Sequence, residues 1–257
     1  MSDQIEVRKL RRLPEESRWY YTLNMVMGLP GVKVDRDRFL SDKFAKHLDA
    51  EKIAAVVEKG TGRAGTPVDL LDDLAVGVIK NHKLLATGAS AAAGLPGGFG
   101  LLATVPADLA QYYFHALQVA QKLAYLYGYP DLEKSGKDDF LLSMTLFIGQ
   151  MNGIGAASTG IQEFSRTLTD PDAGEEKLQR MALARGAIYP VVKQVARVLG
   201  VGVTKDIFAK SLSKIIPGIG AIASGGLTLI AFSYEAERLR EALRKDFLSQ
   251  LKADEGD

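Results

Sequence analysis

The stretch LLATGASAAAGLPGGFGLLATVPADLA, residues 84–110, decides how this chain is read. Its only charged residue is Asp108, and five of its residues are glycines. An apolar run of ~20 residues is long enough to span a bilayer as a helix. The composition argues against a simple span. The large apolar side chains before Asp108 are few: Leu84, Leu85, Leu95, Phe99, Leu101, Leu102 and Val105. The GLPGGFG centre would break a lone helix in lipid and free backbone groups that need partners. Gly94, Pro96, Gly97 and Gly98 are therefore expected to form a structural turn where backbone passes close to another helix.

Two further stretches lack charge. Residues 140–162, FLLSMTLFIGQMNGIGAASTGIQ, carry Gln150 and Asn152 at their middle, and residues 215–234, IIPGIGAIASGGLTLIAFSY, carry PGIG near their start. Small residues recur four apart at Gly94 and Gly98, Gly149 and Gly153, and Ala221 and Gly225. That spacing lets two helix backbones approach closely, in lipid or in water. Two readings stay open: buried Gly-rich helices inside a folded domain, or insertion into a membrane.

Outward from these stretches the signals are helical. Residues 13–31 show Pro14 near a helix start, Glu15 and Glu16 in its first turn and Gly28 as its stop. Two short helices follow, the second ending at Gly60. Another opens with Thr66 as N-cap, Pro67 at the first helical position and Asp69 three residues after the cap. The helix from Asp108 stops at Gly128 and Pro130. The next pattern has Asp172 as cap, and Met181, Ala184, Ile188, Val191, Val195 and Val198 form its apolar stripe. Pro190 falls inside it and predicts a kink. No segment alternates with a two-residue period between hairpin turns. The expected fold is all-α: one multi-helix domain over residues 1–257, with Gly-rich apolar hairpins, a peripheral N-terminal helix within 1–35 and a frayed acidic tail at 251–257.

The chain has 257 residues, 25% charged and 47% apolar, with a formal net charge of +1. That balance is ordinary for a globular protein, and no global field favours nucleic acid. The absence of cysteine excludes disulfides, thiolate metal ligands and a cysteine nucleophile. The N-terminal residues are rich in charge and lack the apolar core of a secretory signal, so a cytoplasmic location is expected.

Signatures of chemistry fail on inspection. GTGRAG, residues 60–65, matches G-x-G-x-x-G but follows a helical pattern rather than a strand. A calcium loop counted from Asp170 places Glu175 and Met181 where Gly and Glu are required. His47, His82 and His115 share no zinc-ligand spacing. No metal site and no cofactor is expected. One feature is less routine. Asp108, Gln111, His115, Gln118 and Lys122 step by three and four along one helix and form a polar stripe. Asp108 and His115 lie two turns apart, about 10 Å, too far to pair directly. The stripe is either a solvated face or a buried polar row, and in the second case a candidate ligand or proton site. A basic amphipathic segment, residues 189–218, carries Lys193, Arg197, Lys205, Lys210 and Lys214 against one acid, Asp206. Lys205, Lys210 and Lys214 are its candidate lipid-facing cations.

Residues 94–132, from GLPGGFGLLATVPADLA to YGYPDL, resemble the central motif of the bacterial EcsC family. Residues 214–242, KIIPGIGAIASGGLTLIAFSYEAERLREA, resemble its C-terminal segment, with Leu227 and Thr228 where an asparagine is expected nearby. The likeness covers about two-thirds of the chain. It implies a bacterial helical protein with no reaction attached, at the inner face of the cell membrane or in the cytoplasm, in a family named for its association with an ABC exporter operon. The expected function is a non-enzymatic, membrane-associated accessory protein that binds lipid or a membrane partner such as an ABC transporter. The alternative is a soluble helical protein that binds an apolar small molecule. A third reading is a hydrolase-like enzyme using Asp108 and His115.

Overall fold

The computed structural model describes residues 13–86, 107–169, 175–202 and 225–254. Every regular element among them is a helix, so the fold is all-α. In chain order they are α1 (Glu15–Met27), α2 (Arg36–Phe44), α3 (Ala50–Lys59), α4 (Val68–Ala86) and α5 (Ala107–Leu126). They continue with α6 (Lys137–Met151), α7 (Gly155–Thr169), α8 (Glu175–Gly202) and α9 (Gly225–Asp254).

The ends follow local chemistry. Asp35 and Asp49 cap α2 and α3 by accepting from the Arg38 and Lys52 amides at 3.0 and 2.9 Å. Thr66 departs from its expected role: its hydroxyl is buried without a partner, and α4 starts after Pro67 with no side-chain cap from it. Gly60 and Gly65 adopt positive φ in the GTGRAG turn, which is a linker between α3 and α4. Pro190 is accommodated within α8.

Helix α5 is the centre of the molecule. It packs against α1, α2, α4, α6 and α9, and it is buried on nearly every side from Ala110 to Tyr127. The N-terminal helix is not peripheral. Trp19, Leu23 and Val26 lie one or two turns apart on a single face of α1 and are fully buried. The indole of Trp19 donates to the Thr145 hydroxyl of α6 at 2.9 Å and meets the Tyr113 ring edge-on at 5.3 Å. At the other end, helix persists to Asp254, so fraying does not begin at residue 251.

Small residues set how close the helices come. A Cβ on Gly149 of α6 would overlap Val195 of α8 and lie 3.2 Å from the Ala157 Cβ of α7. A Cβ on Gly160 of α7 would come within 2.6 Å of Leu146. Gly200 of α8 crosses α1 at backbone range, where any Cβ would overlap the Glu15 carbonyl. Gly153 serves a turn instead, reversing the chain with φ +73° beneath the Arg238 guanidinium.

Of the three uncharged stretches, residues 140–162 are described throughout. They are not one helix. The run breaks between Met151 and Gly155 into α6 and α7, which pack on each other and on α8. Asn152 Nδ2 turns back onto the Ile148 carbonyl at 2.8 Å. Among the described residues no helix is long and apolar enough to cross a membrane. The expected turn at Gly94, Pro96, Gly97 and Gly98 and the cations Lys205, Lys210 and Lys214 lie outside the described residues.

Candidate functional site

The polar stripe of α5 is not a solvated face. His115 is buried, and Gln111, Gln118 and Lys122 are half-buried; the Asp108 side chain lies outside the described residues. The stripe divides into two parts that act differently. Gln118 donates to the Gly31 carbonyl. Its neighbour Gln121, outside the expected stripe, accepts from the Val34 amide at 3.0 Å and donates to the Val32 carbonyl at 2.9 Å. These amides fasten the connection between α1 and α2 to the central helix and leave little capacity for a ligand.

The other part is basic. Lys122 Nζ lies 2.8 Å from Nε2 of His82, which reaches across from α4. The His82 and His115 rings meet edge-to-face with centroids 5.7 Å apart. Burial lowers the pKa of all three groups, and their neighbours add to it. His82 is pushed down to about 2 by burial and then by Lys122, His115 and Lys43. His115 falls to about 4 through burial and Lys122. Lys122 falls to about 8 through burial and Lys43. At neutral pH both imidazoles are uncharged and Lys122 keeps its proton. The ammonium is then the donor and His82 Nε2 the acceptor, which places the His82 proton on Nδ1. The Nδ1 atoms of both histidines are buried without a hydrogen-bond partner.

A buried acid meets α5 at Tyr112. Tyr112 Oη donates to Glu235 Oε2 of α9 at 2.6 Å. Burial raises the Glu235 carboxyl to about 7, against the opposing pull of Tyr112 and Arg238. Sequence inspection missed Glu235. The signal was present, since Phe232, Ala236, Leu239 and Leu243 form an apolar stripe and Glu235 lies on its edge. Asp246 repeats the pattern three turns later, buried near Tyr129 and Ser165 and raised in pKa by that burial. Among the described residues no group of three or more His, Asp or Glu side chains could hold a metal ion.

The outer surface of α8 is the second candidate. Its buried face is Ile188, Val192, Val195 and Leu199. Val198, expected in the apolar stripe, instead points outward and is 50% exposed. It joins Leu183, Ala187, Pro190, Gln194 and Val201, all exposed and spaced by three or four residues. Leu183 is 75% exposed, and Tyr189, on the flank of this row, is 56% exposed. Residues 182–201 include Arg185, Lys193 and Arg197 and no acid. Arg185 is engaged with Asp139 at 2.6 Å and Lys193 with Glu16 at 3.8 Å.

Comparison of the chain with protein-family models, with curated proteins and with solved structures finds no match.

Proposed function

We propose that this chain is a non-enzymatic accessory protein of the EcsC type that docks on an anionic membrane surface, at the inner face of the cell membrane, through the outer face of α8. The observation that carries this reading is a row of exposed apolar side chains on a helix with cations and no carboxylate over residues 182–201. A face of that composition suits the boundary between lipid headgroups and acyl chains. A water-facing helix would instead carry mixed charge on its outer side. The chain runs on from α8 toward Lys205, Lys210 and Lys214, which extends the basic character in the same direction along the sequence. Insertion of Leu183, Val198 and Val201 would contribute roughly 1.5–3 kcal/mol for each side chain fully buried. Each nearby Lys or Arg adds about 1 kcal/mol on anionic lipid.

Flotation with vesicles of phosphatidylglycerol and phosphatidylcholine tests the proposal. The parent protein is expected to float with anionic vesicles at low salt and to stay down with phosphatidylcholine alone. Leu183→Glu combined with Val198→Glu should weaken binding by about a hundredfold or more at an unchanged melting temperature, because both side chains are exposed in the folded protein. A parent protein that never floats with anionic vesicles would remove the proposal.

A further inference from the structure

The cluster of Lys122, His82 and His115 brings three basic side chains from two helices together, with Lys43 of α2 acting on it from a third. Among the described residues every charged group that perturbs these three is itself basic: Lys43, Lys122 and His115. A folded chain rarely buries an ammonium without a counter-charge, because its desolvation is then uncompensated, and here Lys43 adds repulsion. Two features show that the cluster is not already satisfied. Nδ1 of His82, which carries the ring proton, is a buried donor with no partner, and Nδ1 of His115 is also unpartnered. Of the three Lys122 donors, one is used on His82.

We propose that Lys122, His82 and His115, with Lys43 beside them, form a binding site for a small oxyanion of the phosphate class. Such an anion has several acceptor oxygens pointing in different directions. It can take a charge-assisted bond from Lys122 and bonds from imidazole N–H groups together. A metal ion suits the site poorly, although neutral imidazoles are good ligands. The Lys122 ammonium already occupies His82 Nε2, and its positive charge would repel the cation. The site belongs to α4 and α5 and stands whether or not α8 docks on lipid.

The experiment is NMR of the full chain with ¹⁵N-labelled histidine, titrated with inorganic phosphate at neutral pH. His47 is exposed and lies beyond the end of α2, and it serves as the internal reference. Saturable shifts at His82 and His115 with His47 unmoved are expected. Lys122→Met should weaken phosphate binding at least about tenfold, since it removes the one formal charge in hydrogen-bond range. That variant also relieves buried like-charge repulsion, so its melting temperature should hold or rise. Lys43→Gln is a second, half-exposed variant and should weaken binding by a smaller factor. A parallel titration with short-chain, water-soluble phosphatidic acid separates the two sources of the anion. Tighter binding than phosphate assigns the site to a lipid headgroup, and equal or weaker binding assigns it to a free oxyanion. Absence of saturation by about 10 mM phosphate and by the short-chain lipid, shifts shared equally by His47, or undiminished binding in Lys122→Met would each overturn the proposal.

Discussion

Tyr112 Oη and Glu235 Oε2 are 2.6 Å apart, and the contact ties the central helix α5 to the C-terminal helix α9 across 123 positions of sequence. Both groups are buried, and the carboxyl titrates at about 7 rather than in the usual acidic range because burial disfavours its charged form. Tyr112→Phe should cost about 1–3 kcal/mol, the penalty of leaving a buried acceptor without its donor. Loss of that donor should also raise the Glu235 pKa further. Urea denaturation of Tyr112→Phe and of Tyr112→Phe with Glu235→Gln checks this. The double variant should recover part of the loss if the unmet carboxylate is its source.

Stability should depend on pH through opposing groups. His82 and His115 remain neutral in the folded protein down to about 2 and about 4, against 6.5 when unfolded. Below 6.5 the unfolded chain binds protons that the folded chain refuses, so these histidines make stability fall with acidification. Glu235 acts in reverse. Its folded pKa of about 7 exceeds its unfolded 4.5, so the folded chain holds the extra proton and stability from this group falls as pH rises through that window. Each unbalanced proton is worth about 1.4 kcal/mol per pH unit. Between pH 6.5 and 4.5 two histidines outweigh one glutamate. Glu235→Gln should therefore steepen the loss of stability on acidification by about 1.4 kcal/mol per unit, measured by denaturant titration at several pH values. Parallel slopes in parent and variant would refute the assignment.

Two glycines give opposite expectations for the same substitution. Gly149→Ala pushes a methyl into Val195 at a three-helix contact and should destabilise by about 1–3 kcal/mol through overpacking. Gly77 lies within α4 with nothing within 4 Å of its missing Cβ. Gly77→Ala should stabilise by roughly 0.5–1 kcal/mol, the helix propensity difference. Thermal unfolding of both variants is sufficient, and a shared sign of change would contradict the packing described.

Arg185 of α8 meets Asp139 with two bonds of 2.6 Å, and the Asp139 side chain has no exposure. Arg185→Gln should cost about 1–3 kcal/mol, because it leaves a buried carboxylate without its half-exposed partner. Arg185→Gln with Asp139→Asn should be milder than the single change. A double-mutant cycle by calorimetry gives the coupling directly.

The basic segment beyond α8 supplies a test of the membrane proposal at the level of charge. Lys205, Lys210 and Lys214 changed together to Gln should weaken binding to anionic vesicles roughly a hundredfold, since three cations at about 1 kcal/mol each amount to about two decades. Added salt should narrow the gap between parent and variant.

Much of the fold was legible in the sequence because helix boundaries are local. Glu15, Glu16 and Gly28 delimit α1 as their chemistry requires, and the helical pattern before Gly60 correctly disqualified the GTGRAG fingerprint. Depth in the structure was less legible. The helix within 1–35 was expected to be peripheral, although Trp19, Leu23 and Val26 already marked a face with core spacing. Val198 belongs to the same periodic set as Val195 yet faces outward, because the buried face of α8 follows Ile188, Val192, Val195 and Leu199 and leaves Val198 beyond its edge. The basic cluster was half visible. His115 and Lys122 share a helix face that the three-four spacing displays. His82 joins them only when α4 folds against α5, and no local pattern encodes that meeting across 40 residues.

The crossing of α1 and α8 at Gly200 has a kinetic consequence. The Glu15 carbonyl lies against a residue that has no side chain, so α1 braces α8 at backbone range while α8 also packs on α6 and α7. The row from Leu183 to Val201 thus lies on a helix packed against three others and is expected to keep its pose on encounter. A surface that needs no rearrangement loses little conformational entropy on contact. Adsorption to vesicles should accordingly follow a single exponential whose rate grows linearly with lipid concentration, and filling Gly200 with any larger residue should replace that simple course with a slow, saturating one.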